Sequence, residues 1–247
     1  MNRHAERKRY LDAIRRREFT AYIQKIVNAE NFQVGGEVLS RWNNPEKGIV
    51  GPGEFISQMI KTDTIVELDY YMFEEACKQQ EEWASFGKSM FLTCNFTRIT
   101  ISESDFSERI FSIAKKYNFN RSRIVIEITE DCVETNSSVA FANIANVKRF
   151  GFTIALDDFG SGSTSFDDFS NYPVDIVKID RQMLLDAEEE DGRKTLHNLI
   201  SIASRMGMKV LCEGVEVKEQ AEMLKSFGCD YLQGFYFGRP EPKENIA

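Results

Sequence analysis

Short apolar runs alternate along the chain with longer stretches whose apolar residues return every three or four positions. Runs such as MFLTCN, IVIE, TIALDD, DIVK and KVLCE read as strands buried on both faces, and the stretches between them as amphipathic helices. The pattern predicts strands over 20–26, 33–39, 90–95, 123–128, 152–157, 174–179, 208–213 and 230–236. Helices are predicted over 66–85, 104–118, 137–149, 192–206 and 217–227, with shorter ones over 54–61 and 164–171. A repeated phrase joins the two: an amphipathic helix, a glycine, then an apolar strand, as in WASFGKSMFLTCN and ASRMGMKVLCEG. It places Gly87, Gly151, Gly207 and Gly228 just past helix ends, where positive φ closes a helix without strain. Strands alternating with long helices mean βαβ units and a parallel sheet, and eight of them favour a closed barrel over an open doubly wound sheet. The 247 residues match one (β/α)8 domain, although length alone also allows two smaller ones.

The first two strands are joined only around Asn28 to Asn31, too few residues for a crossover helix. The fold expected is therefore a TIM-like (β/α)8 barrel with an antiparallel first strand. Residues 1–18 form a separate basic amphipathic segment with Tyr10, Leu11 and Ile14 on one side, and 19–247 form the barrel domain. The segment is either a helix packed on the barrel wall or the stub of a linker from an upstream sensor or regulatory domain.

The residues that close the apolar runs carry the chemistry. Glu37 stands in VGGEVL, Asn95 in MFLTCN, Glu127 in IVIE, Asp157 and Asp158 in TIALDD, Lys178 in DIVK, Glu213 in KVLCE and Gln233 in YLQG. A carboxylate at the end of a buried strand is costly unless compensated. One is explained by a salt bridge; a set, one per strand, describes a ring around the end of the barrel where such folds keep their active sites. Glu37, Asn95, Glu127, Asp157 and Asp158 would repel one another if left alone, and a divalent cation resolves the conflict. An all-oxygen set suits Mg2+ or Mn2+, and two adjacent aspartates reach two ions if one carboxylate bridges. Two such ions suit attack on a phosphodiester. Glu213 is then the candidate base for a water, and Lys178 either orients that water or simply neutralises the acids. Arg41, four residues after Glu37, suits a phosphate or a surface salt bridge. In DDFGSGSTSFDDF the glycines read as hinges of a loop after a metal-binding strand; no kinase-type companion motifs accompany the Asp-Phe-Gly.

Charge and composition narrow the options. A net charge of −8 argues against DNA binding through a broad basic surface, while leaving room for an anionic substrate held through cations. The two histidines, His4 and His197, lie at no strand end, so a histidine-rich zinc or iron site is not expected. No apolar run of about 18 residues predicts membrane insertion, and the N-terminus lacks the apolar core of a signal peptide. Five cysteines without a CxxC pair read as reduced packing residues of a cytoplasmic protein.

Taken in order, AYIQKIV, GGEVLSRW, LTCNFT, IEITE, ALDDFGSGSTS, VKIDR, CEGVE and LQGFYFGRP resemble the EAL domain, the cyclic di-GMP phosphodiesterase of bacterial signalling, from about Phe19 to Pro242. The resemblance implies metal-dependent hydrolysis of cyclic di-GMP to linear 5′-pGpG. It implies that Glu37, Asn95, Glu127, Asp157 and Asp158 are metal ligands and that Glu213 and Lys178 activate water. It further implies that Gln24, Leu39, Arg41 and Gln233 contact the dinucleotide, that Glu130 steadies the loop after Asp158, and that the protein forms a homodimer. The sequence departs from the family at Val38, where alanine is usual, at Lys25 for proline, at Ser161 and Ser163 for threonine and tyrosine, and at Ile60 for an acid. None of these removes a ligand or the base. The alternatives to an active enzyme are a catalytically silent cyclic di-GMP receptor acting through a protein partner and a protein-interaction module that binds no nucleotide.

Overall fold

The computed structural model describes residues 2–129, 138–159 and 173–246. Its strands are β1 (Phe19–Asn28), β2 (Gln33–Asn44), β3 (Gly48–Val50), β4 (Phe91–Asn95), β5 (Ile124–Thr129), β6 (Thr153–Phe159), β7 (Ile176–Ile179), β8 (Lys209–Cys212), β9 (Tyr231–Gln233) and β10 (Glu241–Pro242). Eight of them close a barrel in the order β1, β2, β4, β5, β6, β7, β8, β9, with β9 returning to β1. β1 runs antiparallel to both its barrel neighbours, and the remaining barrel pairs are parallel. This is the TIM-like barrel with an antiparallel first strand that the short connection after β1 predicts.

The helices lie outside. Helix Ile65–Ser85 buries Ile65, Leu68, Met72, Phe73, Ala76 and Trp83, the three-and-four spacing of one apolar stripe. The chain leaves it through Gly87 at φ 71, and Gly151, Gly207 and Gly228 repeat the device at φ 99, 83 and 88. Helix Arg3–Arg15 packs on the barrel: Tyr10 and Ala13 are buried, and the Tyr10 and Trp42 ring centroids lie 5.5 Å apart. Among the described residues no helix is long and apolar enough to cross a membrane. Cys77, Cys94, Cys212 and Cys229 are buried free thiols.

Several boundaries differ from the pattern reading. β2 runs on to Asn44 because past the barrel rim it stays paired with β1 on one side and gains β3 on the other. β9 stops at Gln233 because the chain turns at Gly234, where a Cβ would lie 2.0 Å from the Val215 carbonyl oxygen. The short helices Arg98–Ile101 and Arg181–Asp186 were not expected; the second starts where the Asp180 side chain accepts from the Gln182 N–H. The expected helix over 164–171 lies outside the described residues.

Side chains alternate across each strand, so the barrel interior is built in layers. Ile26, Phe91, Val125, Ala155, Ile176 and Leu211 form an apolar floor, distinct from the larger core between sheet and helices. Two residues further along the same strands come Glu127, Asp157 and Lys178, with Glu213 just past the end of β8. On antiparallel β1 the same step runs backwards, from Ile26 to Gln24.

Candidate active site

The alternation therefore gathers the strand-end residues over one apolar floor, and Lys178 sits at their centre. Its Nζ lies 2.6 Å from a Glu213 oxygen, 2.8 Å from Glu127, 3.0 Å from Asp157 and 4.0 Å from Glu37. The Lys178 and Glu127 side chains are each only 1% exposed. Burial alone would lower the lysine pKa, but the surrounding Glu127, Glu213, Glu37 and Asp157 carboxylates outweigh it and hold the ammonium charged. Burial drives Glu127 well above the usual carboxylate range, opposed by Lys178 and reinforced by Glu37. Glu213 is pushed up to about 7, again chiefly by burial, with Lys178 pulling the other way. The Lys178–Glu127 contact is an ion pair rather than an aligned hydrogen bond: neither Glu127 oxygen has a well-directed hydrogen-bond partner.

Glu37 is held from both sides. Asn95 Nδ2 donates to its Oε1 at 2.8 Å and Gln233 Nε2 to its Oε2 at 2.6 Å. Asp158 adopts φ 58, a left-handed conformation uncommon outside glycine, and its N–H donates to Asp157 Oδ1 at 3.0 Å. Burial and the Asp157 charge raise the Asp158 pKa. Strain of this kind concentrates at functional sites.

Two concavities flank the ring and share Leu39 as a common wall. One, of about 250 Å³, is lined by Gln24, Glu37, Glu213 and Gln233 together with Arg181, Glu216 and Phe235. The other, of about 260 Å³, is mostly apolar, with Val38, Ile56, Leu68 and Met72 facing Asn95, Thr97 and Asp69. Asp69 is buried, and its Oδ2 accepts from the Thr97 N–H at 3.0 Å, Thr97 Oγ1 at 2.9 Å and Thr100 Oγ1 at 2.6 Å. Burial nevertheless raises its pKa to about 6. Val38 turns away from Glu37 into this second cavity, as strand alternation requires. Arg41 lines neither; its guanidinium lies 5.3 Å from the Tyr22 ring centroid and donates to the Ser40 carbonyl at 2.9 Å.

Whether the ring suits a cation is a question of donors and spacing. The donors are oxygens throughout, and the two undirected Glu127 oxygens are buried acceptors of the kind a hard cation satisfies. Among the described residues no three acids already converge as a ready cation cage, because the Lys178 ammonium stands between them. Chemically the set fits Mg2+ or Mn2+; its present spacing is that of an ion-paired ring.

The family model described as EAL domain matches residues 7–240. The chain belongs to the EAL domain family. It is 28% identical over 237 residues to the bifunctional diguanylate cyclase/cyclic di-GMP phosphodiesterase MucR of Pseudomonas aeruginosa, covering 95% of this chain and 35% of that protein. It is 27% identical over 231 residues to the cyclic di-GMP phosphodiesterase RocR of the same organism, covering 93% of this chain and 59% of that one. The EAL chain thus spans between about a third and three-fifths of the length of these two relatives. Among solved structures, the PaMucR phosphodiesterase in its c-di-GMP complex matches with a TM-score of 0.91 at 26% identity, covering 98% of this chain and all of that one.

Within this EAL domain the structure brings Gln24, Glu37, Asn95, Glu127, Asp157, Lys178, Glu213 and Gln233 into one connected ring. It places Asp158 beside that ring and Leu39 at the junction of the two cavities. Glu130, Ser161 and Ser163 lie outside the described residues. The pattern reading missed Asp69, Arg181, Glu216 and Phe235. For Asp69 a signal existed: it is an acid on the buried stripe of helix Ile65–Ser85. Arg181 donates to Glu216 at 2.7 Å across the first cavity, and neither residue interrupts an apolar run.

Proposed function

We propose that this EAL domain hydrolyses cyclic di-GMP to linear 5′-pGpG with Mg2+ or Mn2+, two ions being held by Glu37, Asn95, Glu127, Asp157 and Asp158. The observation that carries the reading is the placement of Glu213, which lines the first cavity with Lys178 Nζ 2.6 Å from one of its oxygens; burial also raises its pKa. A general base works best when its pKa lies near the working pH. When bound, the cations would polarise the phosphodiester and stabilise the charge that develops on it. Glu213 accepts the proton of the attacking water. Lys178 keeps the acids from repelling one another and holds Glu213 in place. The two cavities sharing Leu39 suit a ligand with two planar bases, one against Phe235 and one in the apolar cavity. The relatives named as cyclic di-GMP phosphodiesterases and the c-di-GMP complex of PaMucR support this choice of substrate.

The test is incubation of purified protein with cyclic di-GMP and Mg2+ or Mn2+, with chromatography for pGpG. Wild type should form product, and Glu213→Gln should slow turnover by roughly a hundredfold or more while nucleotide affinity stays within about threefold. Near-normal turnover by Glu213→Gln would remove the base assignment. Tight nucleotide binding by a wild type that forms no product would make the protein a catalytically silent receptor.

A further inference from the structure

The turn that follows β9 carries an exposed aromatic ring and a cation stacked on it, and the ring of acids uses neither. Phe235 is 51% exposed and lines the first cavity. Four residues on, the Arg239 guanidinium lies over the Phe235 ring, 4.2 Å from its centroid. Arg239 is itself exposed, and among the described residues it pairs with no carboxylate. It is not one of the residues lining the cavity. Because Phe235 lines the cavity and Arg239 does not, the cation covers the side of the ring turned away from it.

The backbone builds this stack. Phe237 and Gly238 both donate their N–H groups to the Gly234 carbonyl, at 3.1 and 3.2 Å, which closes the turn around Phe235. The Tyr236 N–H donates to the Val215 carbonyl at 3.0 Å and ties the turn to the segment after β8. Gly238 stands at φ 154, a conformation that residues with a side chain rarely adopt, and the next residue, Arg239, comes back to the Phe235 ring. The main chain on both sides of Phe235 is therefore pinned. What remains free to move is the ring itself, and the one side chain stacked on it is Arg239.

We propose that Arg239 is a positioning residue for Phe235: it backs the ring so that the opposite face serves as a shelf for one purine of the dinucleotide. The inference rests on the reading of cyclic di-GMP as the substrate, with one base against Phe235. Two effects support it physically. The face of a phenyl ring is negative, as is that of a purine, and a cation behind the ring draws its π density away from the side where the base stacks. The stack also holds the exposed ring in one orientation before the nucleotide arrives, which lowers the ordering cost of binding. Both effects act on affinity, since Arg239 touches neither the acids nor Glu213. An arginine that instead reached the phosphate would keep its contribution with the ring removed.

The experiment is a double-mutant cycle on Arg239→Met and Phe235→Leu, with Arg239→Lys as the variant that keeps the cation. Both positions are exposed, so none of these substitutions opens the core. The readouts are kcat and KM for cyclic di-GMP; if wild type only binds, the calorimetric Kd replaces KM. Arg239→Met is expected to raise KM roughly two- to fivefold, the range for one exposed cation–π contact, with kcat within about twofold of wild type. Arg239→Lys should fall between the two. Phe235→Leu should raise KM roughly fivefold or more through the lost stack, and adding Arg239→Met to it should change nothing further. An Arg239→Met effect that is absent, or equally large with and without the ring, would overturn the inference while leaving Phe235 as the wall for a base. An unchanged KM in Phe235→Leu would overturn that base assignment too. A wild type that neither binds nor cleaves cyclic di-GMP would overturn the substrate reading itself.

Discussion

Asp69 and Glu127 are carboxylates buried at the same end of the barrel, yet their oxygens keep very different company. Three aligned donors converge on Asp69 Oδ2, from the Thr97 backbone and the Thr97 and Thr100 hydroxyls. Glu127 has no aligned donor on either oxygen, only the Lys178 ammonium at 2.8 Å. Burial raises the pKa of both. Asp69 is bonded as a structural carboxylate is, its charge or its proton accommodated by neighbours supplied within one helix–strand corner. Glu127 has the Lys178 ion pair but no aligned donor for its lone pairs, and a buried group in that state marks a site built for something else. The difference is one of hydrogen-bond geometry, since depth of burial is nearly the same.

The comparison breaks most sharply at Glu127. Glu127→Gln keeps the shape and removes the charge, so turnover of cyclic di-GMP should fall by about a thousandfold or more, roughly 4 kcal/mol of activation free energy. Folding stability should stay level or rise, because a poorly compensated buried charge has gone. Chromatographic rates and urea melts on the same protein check both halves; a marked loss of stability would mean that Glu127 is as structural as Asp69. Next in size is Lys178→Met. It strips the ammonium from among Glu37, Glu127, Asp157 and Glu213 and should cost about 3–5 kcal/mol of stability with chelator present. Excess Mg2+ or Mn2+ should recover part of that loss through binding to the folded state. Equal stability of variant and wild type in chelator would show that the acids do not need the lysine.

Much of this was legible in the chain because a closed parallel barrel writes itself plainly. Each strand is buried on both faces, so it appears as an apolar run, and the polar residue that ends it stands out at Glu37, Asn95, Glu127 or Lys178. β3, β10 and helix Arg98–Ile101 have neither an apolar run closed by a polar residue nor enough length for periodicity to show. Asp69 stayed hidden for a different reason. An acid inside an amphipathic helix looks like surface, and only the fold reveals that Thr97 and Thr100 close over it. Nor could sequence show that Lys178 stands within the acid ring or that Gln24 reaches Gly238, since both depend on distances across the barrel mouth.

The smallest effect tests the other half of the comparison. Burial lifts Asp69 to about 6, above the ordinary carboxylate value, so the folded protein binds this proton more tightly than the unfolded chain does. For a carboxyl shifted upward, the contribution to stability is fully present below the unfolded pKa, declines as pH rises through the folded value, and stays lost above it. Asp69→Asn keeps an oxygen for the Thr97 and Thr100 donors but has no proton to titrate. The stability of wild type relative to Asp69→Asn should therefore fall by about 2–3 kcal/mol between pH 4 and pH 7, measured by urea melts of both proteins across that range. All other titrating groups are common to the two and cancel in the difference. A flat difference would mean that the three donors hold Asp69 ionised throughout. The contrast with Glu127 would then be between a satisfied charge and an unsatisfied one, rather than between two carboxyls that burial raises alike.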